Sequence, residues 1–242
     1  MRSLLVFLLI LVHFGCAARG FDRGALRHEM RQDLPTEVTD SDIQKALELK
    51  PQMKFPFRLA VYLKSEGRGL AGASSPQLRY RNHLRWRWEG EDKDSLLSIA
   101  EKLKAEGVIT DMFILPPSRV SQHDLRGIRV AAAEHGADAV LVVDGNEDVD
   151  RYQNYFGFLY VTIVGAWLVP ATHADALFVM DGAMWDVRNK YLYLSVEAEG
   201  MASKLGPVMV LEDKDAIAEA KKQAVGAFVP ELAKRLKAIA GK

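Results

Sequence analysis

Between Phe57 and Gly145 the apolar pattern keeps changing its period, and this restricts the fold more than any single motif does. Residues 57–63, FRLAVYL, are a short apolar and aromatic run of strand length that follows Pro51 and Pro56. From Asp94 the period becomes helical. Leu96, Leu97, Ile99, Ala100 and Leu103 make one stripe, and Gly107 suits the left-handed residue that ends a helix. VITDMFIL (108–115) reads as a strand stopped by Pro116 and Pro117. A second helix is expected from Ser121, read as its cap, through Leu125, Ile128, Ala132 and Ala133 to Gly136. DAVLVVDG (138–145) is a continuous apolar run of the kind buried on both faces of a sheet. Strand, helix, strand, helix, strand calls for right-handed parallel crossovers with helices covering the sheet.

After Asp150 the pattern turns antiparallel. Strand-like runs cover Tyr155–Val169, Ala174–Val187 and Tyr191–Glu199, the last two joined by the polar turn Arg188-Asn189-Lys190. Within YFGFLYVTIVGAWLVP (155–170), β-branched and aromatic residues favour a buried strand pair over a helix. A membrane-inserting hairpin would need strict polar–apolar alternation, which this run lacks. Residues 214–239 predict a long amphipathic helix with Ile217, Ala220, Ala224, Phe228, Leu232 and Leu236 inside, kinked or split at Pro230. The expected architecture is α/β: a mixed sheet with a βαβαβ first half, antiparallel strands in the second half and a long C-terminal helix.

Residues 1–16, MRSLLVFLLILVHFGC, carry one basic residue, Arg2, then an unbroken apolar run from Leu4 to Val12 and a Gly-Cys pair. That is the layout of a secretory signal, too short to span a bilayer stably. Cys16 is the only cysteine. The segment resembles a bacterial lipoprotein signal, whose aliphatic and two small positions before the cysteine are here His13, Phe14 and Gly15. The resemblance implies diacylglycerol on the Cys16 sulfur and an acylated amino group, with Ala17 directing the protein to the outer membrane. Cleavage after Ala18, giving a soluble secreted or periplasmic protein, is the alternative, and an uncleaved anchor a further one. The division expected is residues 1–15 as signal peptide, 16–52 as lipidated N-terminus and tether, and 53–242 as a single α/β domain. The tether should carry one loose helix through Ile43, Ala46 and Leu47, capped by Asp40 or Ser41.

Charge is balanced, with 32 basic and 32 acidic residues, which argues against a nucleic-acid binder. No intramolecular disulfide can form, so the fold rests on its own core. Residues 125–146, LRGIRVAAAEHGADAVLVVDGN, and 183–200, AMWDVRNKYLYLSVEAEG, resemble small envelope lipoproteins of the rhombotail type. More distantly they are similar to the α/β domains of the curli-export lipoprotein and of the Tol-system propeller protein's amino terminus. The chain ends LKAIAGK, without the glycine-bearing, hydrophobic, basic tail expected of rhombotail members. The resemblance implies location and fold, not a reaction.

Chemistry-bearing patterns are sparse. DGNEDVD (144–150) places Asp144, Asn146, Asp148 and Asp150 at alternate positions, as a calcium loop does. Val149 and Tyr155 stand where such a loop needs glycine and a bidentate acid, so a solvated acidic loop is expected and no metal. Residues 78–88 alternate: Leu78, Tyr80, Leu84, Trp86 and Trp88 against Arg79, Arg81, His83, Arg85 and Arg87. Arg79, Arg81, Arg85 and Arg87 could pair with phosphates of lipid headgroups or lipopolysaccharide. The competing reading is an edge strand guarded by charge. Trp86 and Trp88 read as core or an interface anchor rather than a sugar platform. Ser121, His123 and Asp124 sit at a helix start, and His135 and His173 stand alone. No catalytic residues, cofactor or enzyme activity is expected. The expected function is a non-enzymatic envelope lipoprotein bound to the membrane by its lipid and binding a protein or envelope component. A soluble ligand-binding protein or a cryptic hydrolase is the alternative.

Overall fold

The computed structural model describes residues 20–30, 39–64, 86–121, 124–154, 156, 160 and 162–241. Its elements in chain order are α1 (Arg23–Met30), α2 (Asp40–Glu48), β1 (Phe57–Leu63), α3 (Gly90–Leu97), α4 (Ala100–Ala105) and β2 (Ile109–Ile114). A 3₁₀ turn (Pro117–Arg119) leads to α5 (Leu125–Glu134) and β3 (Ala139–Gln153). Then follow α6 (Ile163–Leu168), β4 (Thr172–Asp186), β5 (Leu192–Gly206) and α7 (Asp213–Ile239).

The five strands form one sheet in the order β2-β1-β3-β4-β5. β1 pairs in parallel with β2 and, from Leu59↔Ala139 to Leu63↔Val143, with β3. β3 pairs antiparallel with β4 along its whole length, Ala139↔Asp186 to Gln153↔Thr172, and β4 antiparallel with β5. This is the mixed α/β sheet that the changing period called for.

Period two assigns the faces. Leu59, Val61, Leu141, Val143, Phe178, Met180 and Val196 point to one layer, where Leu96 of α3, Leu103 of α4 and Phe228, Leu232 and Leu236 of α7 meet them. Ala60, Tyr62 and Val140 point the other way, onto Ile128, Ala131 and Ala132 of α5. Further along that second face Leu26 of α1 packs on Leu177 and Val179. Trp86 and Trp88 are buried in the first layer, edge-on to each other at 4.9 Å, with Trp86 edge-on to Phe178 at 4.8 Å.

Four expectations are corrected. The acidic stretch 144–150 is strand rather than solvated loop: β3 continues through it, register-paired with residues 175–181. Alternate oxygens are what a calcium loop displays and equally what one face of a strand displays, since both repeat every second residue. The described part of run 155–170, residues 156, 160 and 162–170, is not a buried strand pair. It contains α6, and Val164, Trp167 and Leu168 are exposed. α7 is not split at Pro230. Gly226, whose carbonyl the proline leaves without its helical donor, is solvent-exposed as Pro230 is, so water can serve that oxygen. The cap of α5 is Asp124, whose Oδ1 accepts from Gly127 N at 2.7 Å, and not Ser121.

One buried ion pair fixes α3 to α7. Lys221 Nζ lies 2.6 Å from Asp92 Oδ2 and donates to the Arg87 carbonyl at 2.8 Å. Asp92 also accepts from Glu89 N at 2.8 Å at the start of α3, so each charge has more than one partner.

α7 lies closely on β5 because residue 200 has no side chain. A Cβ there would collide with the Ala220 carbonyl and stand 2.5 Å from Ala224 N. Backbone on both sides leaves no flexible atom to yield. We expect Gly200→Ala to lower unfolding stability by about 2–3 kcal/mol in urea titrations. Gly226→Ala on the same helix, where nothing lies within 4 Å, should instead stabilise by about 0.5–1 kcal/mol.

Candidate functional site

The two ends of the sheet differ in chemistry. At the end where β3 finishes and β4 begins, Asp150 Oδ2 accepts from Gly20 N at 3.2 Å. From there α1 runs back along the sheet. Arg23 Nε pairs with Glu199 at 2.9 Å, and one turn later Arg27 Nε donates to Glu197 at 2.5 Å. The chain thus arrives at this end and travels away from it. Tyr160 closes the same end: its hydroxyl donates to the Val169 carbonyl at 2.9 Å and accepts from Ala171 N at 2.9 Å. Met209 N reaches the Ala166 carbonyl at 3.4 Å, placing the turn after β5 beside α6.

Cys16, the expected lipidation site, lies outside the described residues, as do Arg79, Arg81 and Arg85. Arg87 is exposed, and its carbonyl rather than its guanidinium is engaged, by Lys221. Of the residues 16–52 read as lipidated N-terminus and tether, α1 is packed on the sheet through Leu26, while α2 has no buried residue. α2 carries a capping box built on Thr39 and Asp42, so neither Asp40 nor Ser41 is its cap.

At the opposite end a polar network ties the segment before β1 to the sheet. The Asp186 carboxylate is fully buried; its Oδ2 accepts from Tyr193 OH at 2.6 Å and its Oδ1 from Arg188 N at 2.8 Å. Tyr193 OH in turn accepts from Met53 N at 2.8 Å and Gln52 N at 3.1 Å. Asp138 Oδ1 takes Arg188 at 2.7 Å and its Oδ2 takes Arg58 N at 3.1 Å. Burial would raise the Asp138 carboxyl, but these two donors hold it below its ordinary value. Each acid here is engaged by structural donors, which suits the network to anchoring residues 50–53 rather than to proton transfer.

A shallow groove of about 490 Å³ lies between α4 and α7, floored by Ile99, Leu103, Val229 and Pro230 and rimmed by Lys102, Lys234 and Lys237. Lys237 is paired with Glu106 at 2.6 Å and Lys234 with Glu231 at 3.7 Å, which cancels most of the groove's positive charge. His135 is occupied at Nδ1 by the Ala131 carbonyl at 2.8 Å, and His173 stacks on Tyr152 at 4.9 Å. His123 lies outside the described residues, so its triplet with Ser121 and Asp124 has no geometry to report. Among the described residues no three His, Cys, Asp or Glu side chains converge as a metal site, and no helix is long and apolar enough to cross a membrane. The apolar collar around α6 was missed in the sequence; its signal was Trp167 and Leu168 standing next to Pro170, at the end of a run rather than inside it.

No family model and no curated protein matches the chain. Among solved structures it is similar to a PelC dodecamer from Paraburkholderia phytofirmans, at 14% identity over 78% of this chain and 93% of that one, TM-score 0.33. A neuraminyllactose-binding hemagglutinin homolog from Helicobacter pylori gives 12%, 78%, 90% and 0.39. A lipoprotein from Neisseria meningitidis gives 13%, 74%, 99% and 0.30. At these identities and TM-scores the likeness assigns neither a family nor a function.

Burial, then the hydrogen bond to Asp186, pushes the Tyr193 phenol from 10.0 up to about 12. The neutral phenol is the form the fold favours. The native state therefore holds a proton that the unfolded chain has lost between these values, and stability falls with rising pH across that window. The contribution is complete below about pH 10 and disappears as pH passes through about 12. Tyrosinate absorbance should show this late titration, and Tyr193→Phe should abolish it. The same variant strands the Met53 N–H, while Gln52 N keeps its bond to Asp186 Oδ2 at 3.3 Å, and should cost about 1–3 kcal/mol in unfolding experiments at neutral pH.

Proposed function

We propose that this chain is a non-enzymatic lipoprotein of the bacterial cell envelope. It is exported by residues 1–15, acylated on Cys16 and held in the outer membrane facing the periplasm, where the folded domain binds a protein or envelope component. What supports this reading is the short distance between anchor and fold. Cys16, the only cysteine, stands directly after an apolar leader and four residues before Gly20, which Asp150 holds at one end of the sheet. Four extended residues reach at most about 14 Å. Several acyl chains, at about 0.8 kcal/mol per buried CH₂, make such an anchor effectively permanent.

Arg79, Arg81, Arg85 and Arg87 are the candidate contacts for phosphate-bearing envelope components, because guanidinium groups pair bidentately with phosphate. Arg87 offers its side chain to solvent.

The test is metabolic labelling with palmitate followed by membrane fractionation. The wild-type chain should take up label and sediment with the outer membrane. Cys16→Ala should take up none and move to the soluble periplasmic fraction with its fold intact. A wild-type chain that never incorporates label sinks the proposal.

A further inference from the structure

We infer that the collar of apolar side chains around α6 is a second membrane contact, seated in the interfacial layer of the bilayer that the Cys16 acyl chains enter. The inference rests on the lipoprotein reading above. Val164, Trp167 and Leu168 of α6 are 67%, 51% and 71% exposed. Met209 and Val210, brought beside α6 by the Met209–Ala166 backbone bond, are 57% and 56% exposed. Phe156, just beyond β3, and Leu205, near the end of β5, are exposed as well. Monomeric proteins seldom leave apolar side chains gathered like this in water, and such patches mark surfaces that something covers.

The position of the anchor says what covers this one. Asp150 fixes Gly20, and Cys16 lies within about 14 Å of it along the chain. β3 continues past Asp150 to Gln153, which carries the sheet about 10 Å further towards its end. The Tyr160 hydroxyl and the Met209 amide hold the α6 segment across that end. The direction of α1, from Glu199 towards Glu197, takes the rest of the chain the opposite way. The anchor and the collar therefore share one end of the molecule, and a spacer of at most about 14 Å is enough to close the roughly 10 Å between them. A tryptophan among aliphatic neighbours is the composition of an interfacial belt, with apolar ring surface in the acyl boundary and the indole N–H among headgroups. Because the acyl chains already hold the protein at the surface, the second contact forms at high effective concentration and needs little affinity of its own.

The experiment uses the full, lipid-modified chain in phosphatidylcholine vesicles with brominated acyl chains. The wild-type minus Trp167→Phe difference spectrum isolates Trp167 from Trp86, Trp88 and Trp185. The expected result is blue-shifted Trp167 emission that loses most of its intensity to bromine. Protein that floats with the vesicles and carries palmitate, yet whose Trp167 emission is unquenched, overturns the inference and leaves the lipoprotein reading standing. A doubled mass in such a sample, with the collar buried against a second copy, overturns it equally. Protein that neither carries palmitate nor floats overturns the lipoprotein reading and this inference with it.

Discussion

Strand β3 is the constraint on which the rest of the molecule depends. Its first five residues are hydrogen-bonded on both sides, to β1 in parallel and to β4 antiparallel, while from Asp144 onward β4 is its described strand partner. A strand covered by helices on both faces must be apolar at every position, and AVLVV (139–143) is. Beyond Val143 the second face is covered, among the described residues, by the short α1, and there the side chains become Asp144, Asn146, Asp148 and Asp150. The change of composition inside one strand thus records the change in what lies over it.

That asymmetry gives the sheet two unlike ends. Where β1 and β3 begin, aspartates and a tyrosine satisfy backbone donors of the incoming chain, and the Asp186 carboxylate is buried because all its neighbours there are donors. Where β3 ends, closure is made by one tyrosine hydroxyl and a short helix with an apolar exterior. α7 spans both: Arg151 pairs with Asp213 at its start, and Arg235 donates to the Ser195 carbonyl near its finish. The exposed ion pairs contribute little individually. The helix is held by Phe228, Leu232 and Leu236, by the absence of a side chain at Gly200, and by the buried Lys221–Asp92 pair.

Much of this was legible as periodicity. β1, β2, α5, the first half of β3 and the inner stripe of α7 follow from where apolar residues recur, because each element has one job and one period. What failed were segments whose period or composition serves two structures. Alternating acids at 144–150 fit a loop geometry as well as a strand face, and only the register with β4 separates them. Composition in 155–170 measures how apolar a segment is, and says nothing about whether another layer covers it. Pro230 removes a donor on a face where water replaces it, so three-dimensional exposure, not sequence, decides whether the helix survives. The close approach at Gly200 left no periodic trace at all.

The docking of α1 changes what the N-terminal segment can do. If every residue from Cys16 to Met53 were loose, the domain could stand roughly 120 Å from its anchor, and no face would be preferred. Leu26 on Leu177 and Val179 takes that slack away. Arg23, Arg27 and their glutamates are each more than a third exposed, and such pairs set direction more than they add energy. Leu26, with Phe21 and Met30 packed beside it and Gly20 held by Asp150, therefore converts a long leash into a four-residue spacer. It follows that the orientation of the sheet relative to any anchored membrane is set by a small contact distinct from the two larger apolar layers.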